Sequence, residues 1–298
     1  MPTRSVPVPA AAADYRQHVT RRAVVATVVL SAATMVVLAL VFALVGLALV
    51  GALVGLGIAA LVAAVVWTRS DRLVLRLGRA EPAGETAYAR YHNVVEGLCV
   101  AGGLPKPALY VIDDEGCNGF VAGRGPKSAS LAVTTGLLDA LDRVQLEGVL
   151  AHLLVRVKSH EILAATVAVP TGGIGALLGD LCVRARGPFP PLGALGGALL
   201  APSATWARLI TGVAGASHLS ATDRQAVALT RYPPGLVAAL HELEERGTVV
   251  AAGLRSTAHL WLAAPISDDV SDDALAARNR EYLAHAPLGE RLEILREL

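Results

Sequence analysis

Apolar and polar positions divide the chain into two parts. From Ala23 to Trp67 about 45 consecutive residues carry no charge, whereas one membrane-spanning helix needs about 20. A single straight helix of that length would be about twice too long. The block therefore predicts a transmembrane helical hairpin over 23–67, turning among Gly46 to Gly51. Arg16, Arg21 and Arg22 precede it, and Arg69, Arg72, Arg76 and Arg79 follow it. This charge pattern places both ends of the hairpin, and the soluble portion beyond it, on the cytoplasmic side of a cell membrane. A cleaved signal peptide fits poorly, because its apolar core is usually only about 7–15 residues long. Residues 1–22, with Pro2, Pro7, Pro9 and an alanine run, read as a flexible tail with no stripe to bury.

Beyond residue 68 the periodicity is that of a folded domain, mainly α with a small β-sheet. Tyr88, Tyr91, Val95, Leu98 and Cys99 recur near helical spacing and predict a helix over Thr86 to Val100, closed by Gly102-Gly103. Pro107 to Asp113 and Ser130 to Thr134 are strand-like. Between them the glycine-punctuated stretch Cys117 to Gly125 reads as a hairpin or edge strand; it lacks the ending and spacing of a phosphate loop. Asp142 followed by Gln145 is a capping-box signal, and Leu146, Val149, Leu150, Leu153, Leu154 and Val157 then form a wide apolar face. Two further apolar blocks, 162–182 and 189–216, are broken by Pro170, Gly172, Gly173, Gly175, Pro202 and Arg208, so spanning, re-entrant and protein-packed helices all stay open. Ala221 to Arg246 and Pro287 to Leu298 read as soluble-type helices, and Asp268, Asp269, Asp272 and Asp273 as a solvated acidic loop.

Composition narrows the function classes. Of the 298 residues 54% are hydrophobic, and Lys plus Arg at 26 nearly balances Asp plus Glu at 25. No basic field exists to hold nucleic acid, so no nucleic-acid partner is expected. Cys99, Cys117 and Cys182 show no C-x-x-C spacing and read as buried free thiols.

The chemistry-bearing stretch is Gly148 to Arg156. Two histidines four apart on a helix share a face and can grip zinc, while an intervening glutamate takes a proton from metal-bound water. Here His152 is followed by Leu153 at the base position and Arg156 at the second ligand position. Leucine accepts no proton, and a guanidinium offers no lone pair to a metal.

Several landmarks occur in order: Asn93 to Leu98, Gly103 to Pro107, Asn118-Gly-Phe120, Gly123-Arg124, Val133 to Leu138, Glu147 to His152, Thr222-Asp223, His259 to Leu262 and His285 to Arg291. In that order they resemble the HtpX-like family of membrane zinc metalloproteases, related to the CAAX prenyl endopeptidases. The resemblance implies a gluzincin-like metalloprotease domain over 68–298 behind the hairpin. It also places the family's zinc glutamate at Leu219, four residues before Asp223, and an expected aspartate at Glu161. His152 and Asp223 survive; the other ligands and the base do not.

The leading expectation is a pseudoprotease without metal or other cofactor that binds a peptide or membrane-protein partner. Its edge strand at Asn118, Gly119, Phe120 and Val121 would receive the partner as an added strand. Arg156 is expected to pair with Asp223 or Glu161 in place of the metal. Two alternatives remain: a working metalloendopeptidase whose zinc is held by a rearranged set of His152, His160, Glu161, His218 and Asp223, and a purely structural subunit of a membrane complex.

Overall fold

The computed structural model describes residues 48–170, 215–267 and 287–297, with isolated helical positions between 21 and 32. Nearly all of the expected tail, the first arm of the expected hairpin, most of the two later apolar blocks with Cys182, and the acidic run from Asp268 lie outside the described residues.

Helix α1 (Ala48–Leu77) leads the described chain. Within it, Leu53–Leu77 is the one described helix long and apolar enough to cross a membrane, by length and composition. Leu49, Leu53, Leu56, Leu61 and Val65 are exposed along it, as bare apolar surface that no described residue covers. The helix differs from the expected hairpin arm in two ways. Gly51 lies inside it and is no turn, and it continues ten residues past Trp67, so its arginine-bearing end is continuous with its apolar part.

Beyond it the described chain has an element wherever the periodicity predicts one, and others that it does not predict. They are strand β1 (Glu81–Pro82), helix α2 (Ala89–Gly102), strands β2 (Ala108–Ile112), β3 (Gly119–Ala122) and β4 (Ser130–Thr134), and helices α3 (Thr135–Ala140) and α4 (Arg143–Lys158). Then come α5 (Glu161–Pro170), α6 (Gly215–Thr230), α7 (Pro233–Arg246), a 3-10 turn at Arg255–Leu260, and α8 (Leu288–Arg296). Gly103 closes α2 in the left-handed conformation, φ 64°, where its amide reaches the carbonyls of Cys99 and Val100. Asp142 and Gln145 form the predicted capping box. The single helical stretch read over Ala221 to Arg246 is two helices, because Pro233 and Pro234 cannot continue the first and instead begin the second.

The four strands are ordered β1-β2-β4-β3, with β2 and β4 parallel and the other pairs antiparallel. Both faces are covered, so alternate side chains enter two separate cores. Leu109, Val111, Val121, Leu131 and Val133 face α2 and α4, while Ile112, Phe120, Ala122 and Ala132 meet the end of α1, α5 and Trp261. Helix α4 is the hub. Gly148 and every residue from Val149 to Val157 are buried, which accounts for its apolar character on all sides.

A β-carbon at Gly148 would lie 2.8 Å from the backbone of Leu236, so α4 and α7 approach too closely for any side chain there. Gly148→Ala should therefore destabilise the fold by about 1–3 kcal/mol through overpacking. A denaturant or thermal melt of the detergent-purified protein checks this, and an unchanged midpoint would show that the helices part at little cost.

Candidate functional site

The three residues that close the site come from α4, α6 and α8. His152 sits on the buried face of α4 and is fully buried, and Asp223 on α6 is 1% exposed. His152 Nδ1 lies 2.6 Å from Asp223 Oδ1. Arg291 on α8 grips the same carboxylate with both arms of its guanidinium, Nε to Oδ2 and one terminal nitrogen to Oδ1, each at 2.8 Å. Its other terminal nitrogen donates to the Leu262 carbonyl at 3.0 Å.

Electrostatics fix the protonation states. Burial works to raise the Asp223 pKa, but the Arg291 guanidinium and His152 outweigh it and hold the carboxyl well below the usual range. Burial lowers the His152 pKa to about 4, with Arg291 and Arg156 pushing the same way against the pull of Asp223. The imidazole is therefore neutral at pH 7. Since a carboxylate can only accept, Nδ1 carries the proton and the lone pair is on Nε2. That nitrogen is buried with no hydrogen-bond partner. A carboxylate that orients a histidine through one ring nitrogen and leaves the lone pair of the other unused is one half of a metal-binding arrangement.

The other half does not fit a metal. Leu153, at the base position, is fully buried. One of its methyl groups lies 3.4 Å from where a β-carbon of Gly119 would stand, so it packs under β3. Arg156 donates to the backbone carbonyls of Leu260 at 2.7 Å, Trp261 at 3.4 Å and His259 at 3.2 Å. No group of three or more His, Cys, Asp or Glu side chains that could hold a metal occurs among the described residues. Among the described residues a zinc ion would find one imidazole nitrogen, a leucine and a cation. The backbone at Leu219 is helical in α6, but its side chain, like that of His218, lies outside the described residues.

The comparisons with known proteins bear on what this scaffold is. The model of peptidase family M48 matches residues 85–169. A protease HtpX homologue from Dictyoglomus thermophilum is 32% identical over 240 residues, covering 77% of this chain and 76% of that protein. One from Acidiphilium cryptum is 34% identical over 245 residues, covering 78% and 82%. The chain belongs to the HtpX-like family of M48 peptidases. A further HtpX homologue, from Tropheryma whipplei, matches at 32% over 251 residues. No solved structure matches the chain.

Among the described residues of this HtpX-like domain two expected contacts are made differently. The carboxylate proposed for Arg156 is taken instead by Arg291, which reaches it bidentately from α8, while Arg156 turns to the carbonyls of 259–261. Glu161 accepts from the Ser159 hydroxyl at 2.7 Å. The β3 strand does lie at a sheet edge, but its start is already in use. Phe120 forms a bridge with Trp261, the Leu262 amide donates to the Gly119 carbonyl at 2.8 Å, and Phe120 and Trp261 meet edge to face at 4.9 Å. Asn118, Gly119, Phe120 and Val121 are all buried. The Asn118 amide donates to the carbonyls of Thr248 and Ala263 and its oxygen accepts from the Gly119 and Ala263 amides, so it staples three segments together. Covering an edge with the chain's own backbone is a common protection against misassembly.

The rearranged metal set also changes. Helix α4 stops at Lys158, and His160 takes a left-handed conformation, φ 63°, that turns the chain into α5. It is not a second histidine on the α4 face.

Arg291 was absent from the expected site, although a signal existed: Leu288, Leu292 and Leu295 stripe one face of α8, and Arg291 falls on that face. An arginine on a buried stripe calls for a carboxylate.

Removing the carboxylate with Asp223→Ala should destabilise the protein by about 3–5 kcal/mol, because Arg291 is left buried and unpaired. Asp223→Asn should lose less, since its amide oxygen still accepts; equal midpoints for wild type and Asp223→Ala would contradict this. His152 and His259 are both buried and lowered from 6.5 to about 4, chiefly by burial. The unfolded chain therefore binds the extra protons between these values. Stability should be full above pH 6.5 and fall as the pH drops toward about 4. Melting curves across that range check the sign, and a flat profile would mean that these imidazoles titrate alike in the folded and the unfolded chain.

Proposed function

We propose that this HtpX-like protein is a catalytically inactive, membrane-anchored homologue that acts by binding a protein partner. The observation that carries the reading is the pairing of a retained scaffold with replaced chemistry. His152, Asp223 and Arg291 form one hydrogen-bonded network, while Leu153 and Arg156 occupy the positions that the resemblance gives to the base and the second ligand. A hydrolytic site needs an activated water, a base and a stabilised oxyanion. Among the described residues this one offers a single histidine toward the first and no proton acceptor at the base position for the second.

Membrane anchoring rests on α1 and on the uncharged run of which it is part. The arginines on either side of that run support a cytoplasmic domain. The covered β3 edge counts against capture of an extended peptide as an added strand at Asn118 to Val121. It favours the neighbouring reading, a structural subunit whose partner contacts lie elsewhere, such as the bare apolar face of α1.

Purified full-length protein should contain no stoichiometric zinc, because one imidazole is one of the three protein ligands that a catalytic site requires. About one zinc per chain by elemental analysis would overturn the proposal. Restoring Leu153→Glu, Arg156→His and Leu219→Glu together should recover zinc binding more readily than cleavage of an unfolded substrate, since ligands need only be in reach while hydrolysis needs sub-ångström placement. Robust cleavage by any single reversion would mean that a metal site already exists.

A further inference from the structure

We propose that the cavity bounded by Arg124, Lys127 and His160 binds a phosphate-bearing anion, supplied by the headgroup of an anionic phospholipid. The cavity has a volume of about 590 Å³ and is lined by Pro105, Arg124, Gly125, Pro126, Lys127, Ser128 and His160. Three of these can carry positive charge, one is a hydroxyl donor, and none is a carboxylate. Arg124 and Lys127 are exposed. No salt bridge within the described residues engages either of them. A guanidinium beside an ammonium suits phosphate, the first by bidentate hydrogen bonding and the second as a point charge. The two prolines give the cavity apolar walls against which a glycerol backbone can rest.

Two observations hold this cluster in place and put it where lipid headgroups are. The loop is built rather than loose: its Gly123 amide donates to the Thr166 hydroxyl of α5 at 2.9 Å. The Ser128 amide donates to the Gly125 carbonyl at 3.0 Å. The His160 ring lies against Gly125, so that a β-carbon there would come within 3.3 Å of Nδ1. Helix α5, to which the loop is tied, packs Leu163, Ala164, Val167 and Ala168 against Val66 and Trp67 of α1. Those two residues end the uncharged run, and Arg69, Arg72 and Arg76 follow at once. The basic cavity thus stands beside the level at which α1 passes from apolar to cationic. Basic groups at such a border are drawn to anionic headgroups. This inference rests on the membrane-anchored reading above.

The test is native mass spectrometry of the full chain released from lipid nanodiscs. Phosphatidylglycerol nanodiscs are compared with phosphatidylcholine ones, and inorganic phosphate is added as a separate arm. The wild type should retain phosphatidylglycerol selectively, and Arg124→Gln with Lys127→Gln should weaken retention about tenfold. The exchange Arg124→Lys with Lys127→Arg should preserve it. Equal retention by wild type and the Gln variant, with both folded by melting temperature, overturns the proposal. So does binding of inorganic phosphate without lipid selectivity, which would assign the cavity to a soluble anion. Alkaline carbonate extraction separates the two readings. A chain that stays in the membrane pellet but shows no headgroup preference refutes the cavity assignment alone, whereas release from the pellet refutes the anchoring on which it rests.

Discussion

A buried carboxylate, that of Asp223, joins elements far apart in the chain, and the placement of α4, α6 and α8 depends on it. Taking an anion out of water is expensive, and the expense is met only when charged partners and hydrogen bonds satisfy its oxygens. Asp223 has both: the Arg291 guanidinium takes two of its lone-pair sites and His152 a third. Because Arg291 also reaches the Leu262 carbonyl, the same cation ties the last helix to the segment that covers the sheet edge. Any one of the three side chains, left alone at its depth, would carry an unmet polar demand; together they form a closed network. One atom is left out of it, His152 Nε2.

Arg156 organises the other side of the same space. Its guanidinium collects carbonyls from 259, 260 and 261, which draws that segment down over α4 while Trp261 and Leu262 meet Phe120 and Gly119 at the edge of β3. A fixed cation here thus does structural work of a kind a metal site cannot: it gathers backbone from a loop instead of activating water. Leu153 completes the replacement by adding apolar contact beneath Gly119. Leu153 and Arg156 are thus integrated into the packing, each with partners suited to its chemistry, as the proposed reading of a scaffold without hydrolysis requires.

How much of this could be read from the sequence depends on the range of the interaction. Local signals transferred almost unchanged. The strand-like residues of Ser130 to Thr134 produced β4, the Asp142 and Gln145 pair capped α4, and Gly103 closed α2. The survival of His152 beside Asp223 was also visible, because the order of landmarks across the domain brought those two into one site. Pairings set by tertiary approach were not legible. The sequence suggested Asp223 or Glu161 as the partner of Arg156, and only the path of α8 decides that Arg291 reaches Asp223. The glycine punctuation suggested a hairpin or edge strand at β3, but its cover comes from residues about 140 positions later, and no local pattern announces that contact. The end of α1 was misjudged for a different reason. Apolar composition stops at Trp67, yet arginine is a good helix former, so the helix itself runs on to Leu77.

The central claim is that the fold persists without its chemistry, and cleavage of an unfolded substrate by the purified full-length chain, in detergent and with zinc supplied, tests it most directly. The account predicts no turnover above a His152→Ala control, with or without a chelator. Cleavage that the wild type performs, that chelation abolishes and that His152→Ala lacks would contradict it.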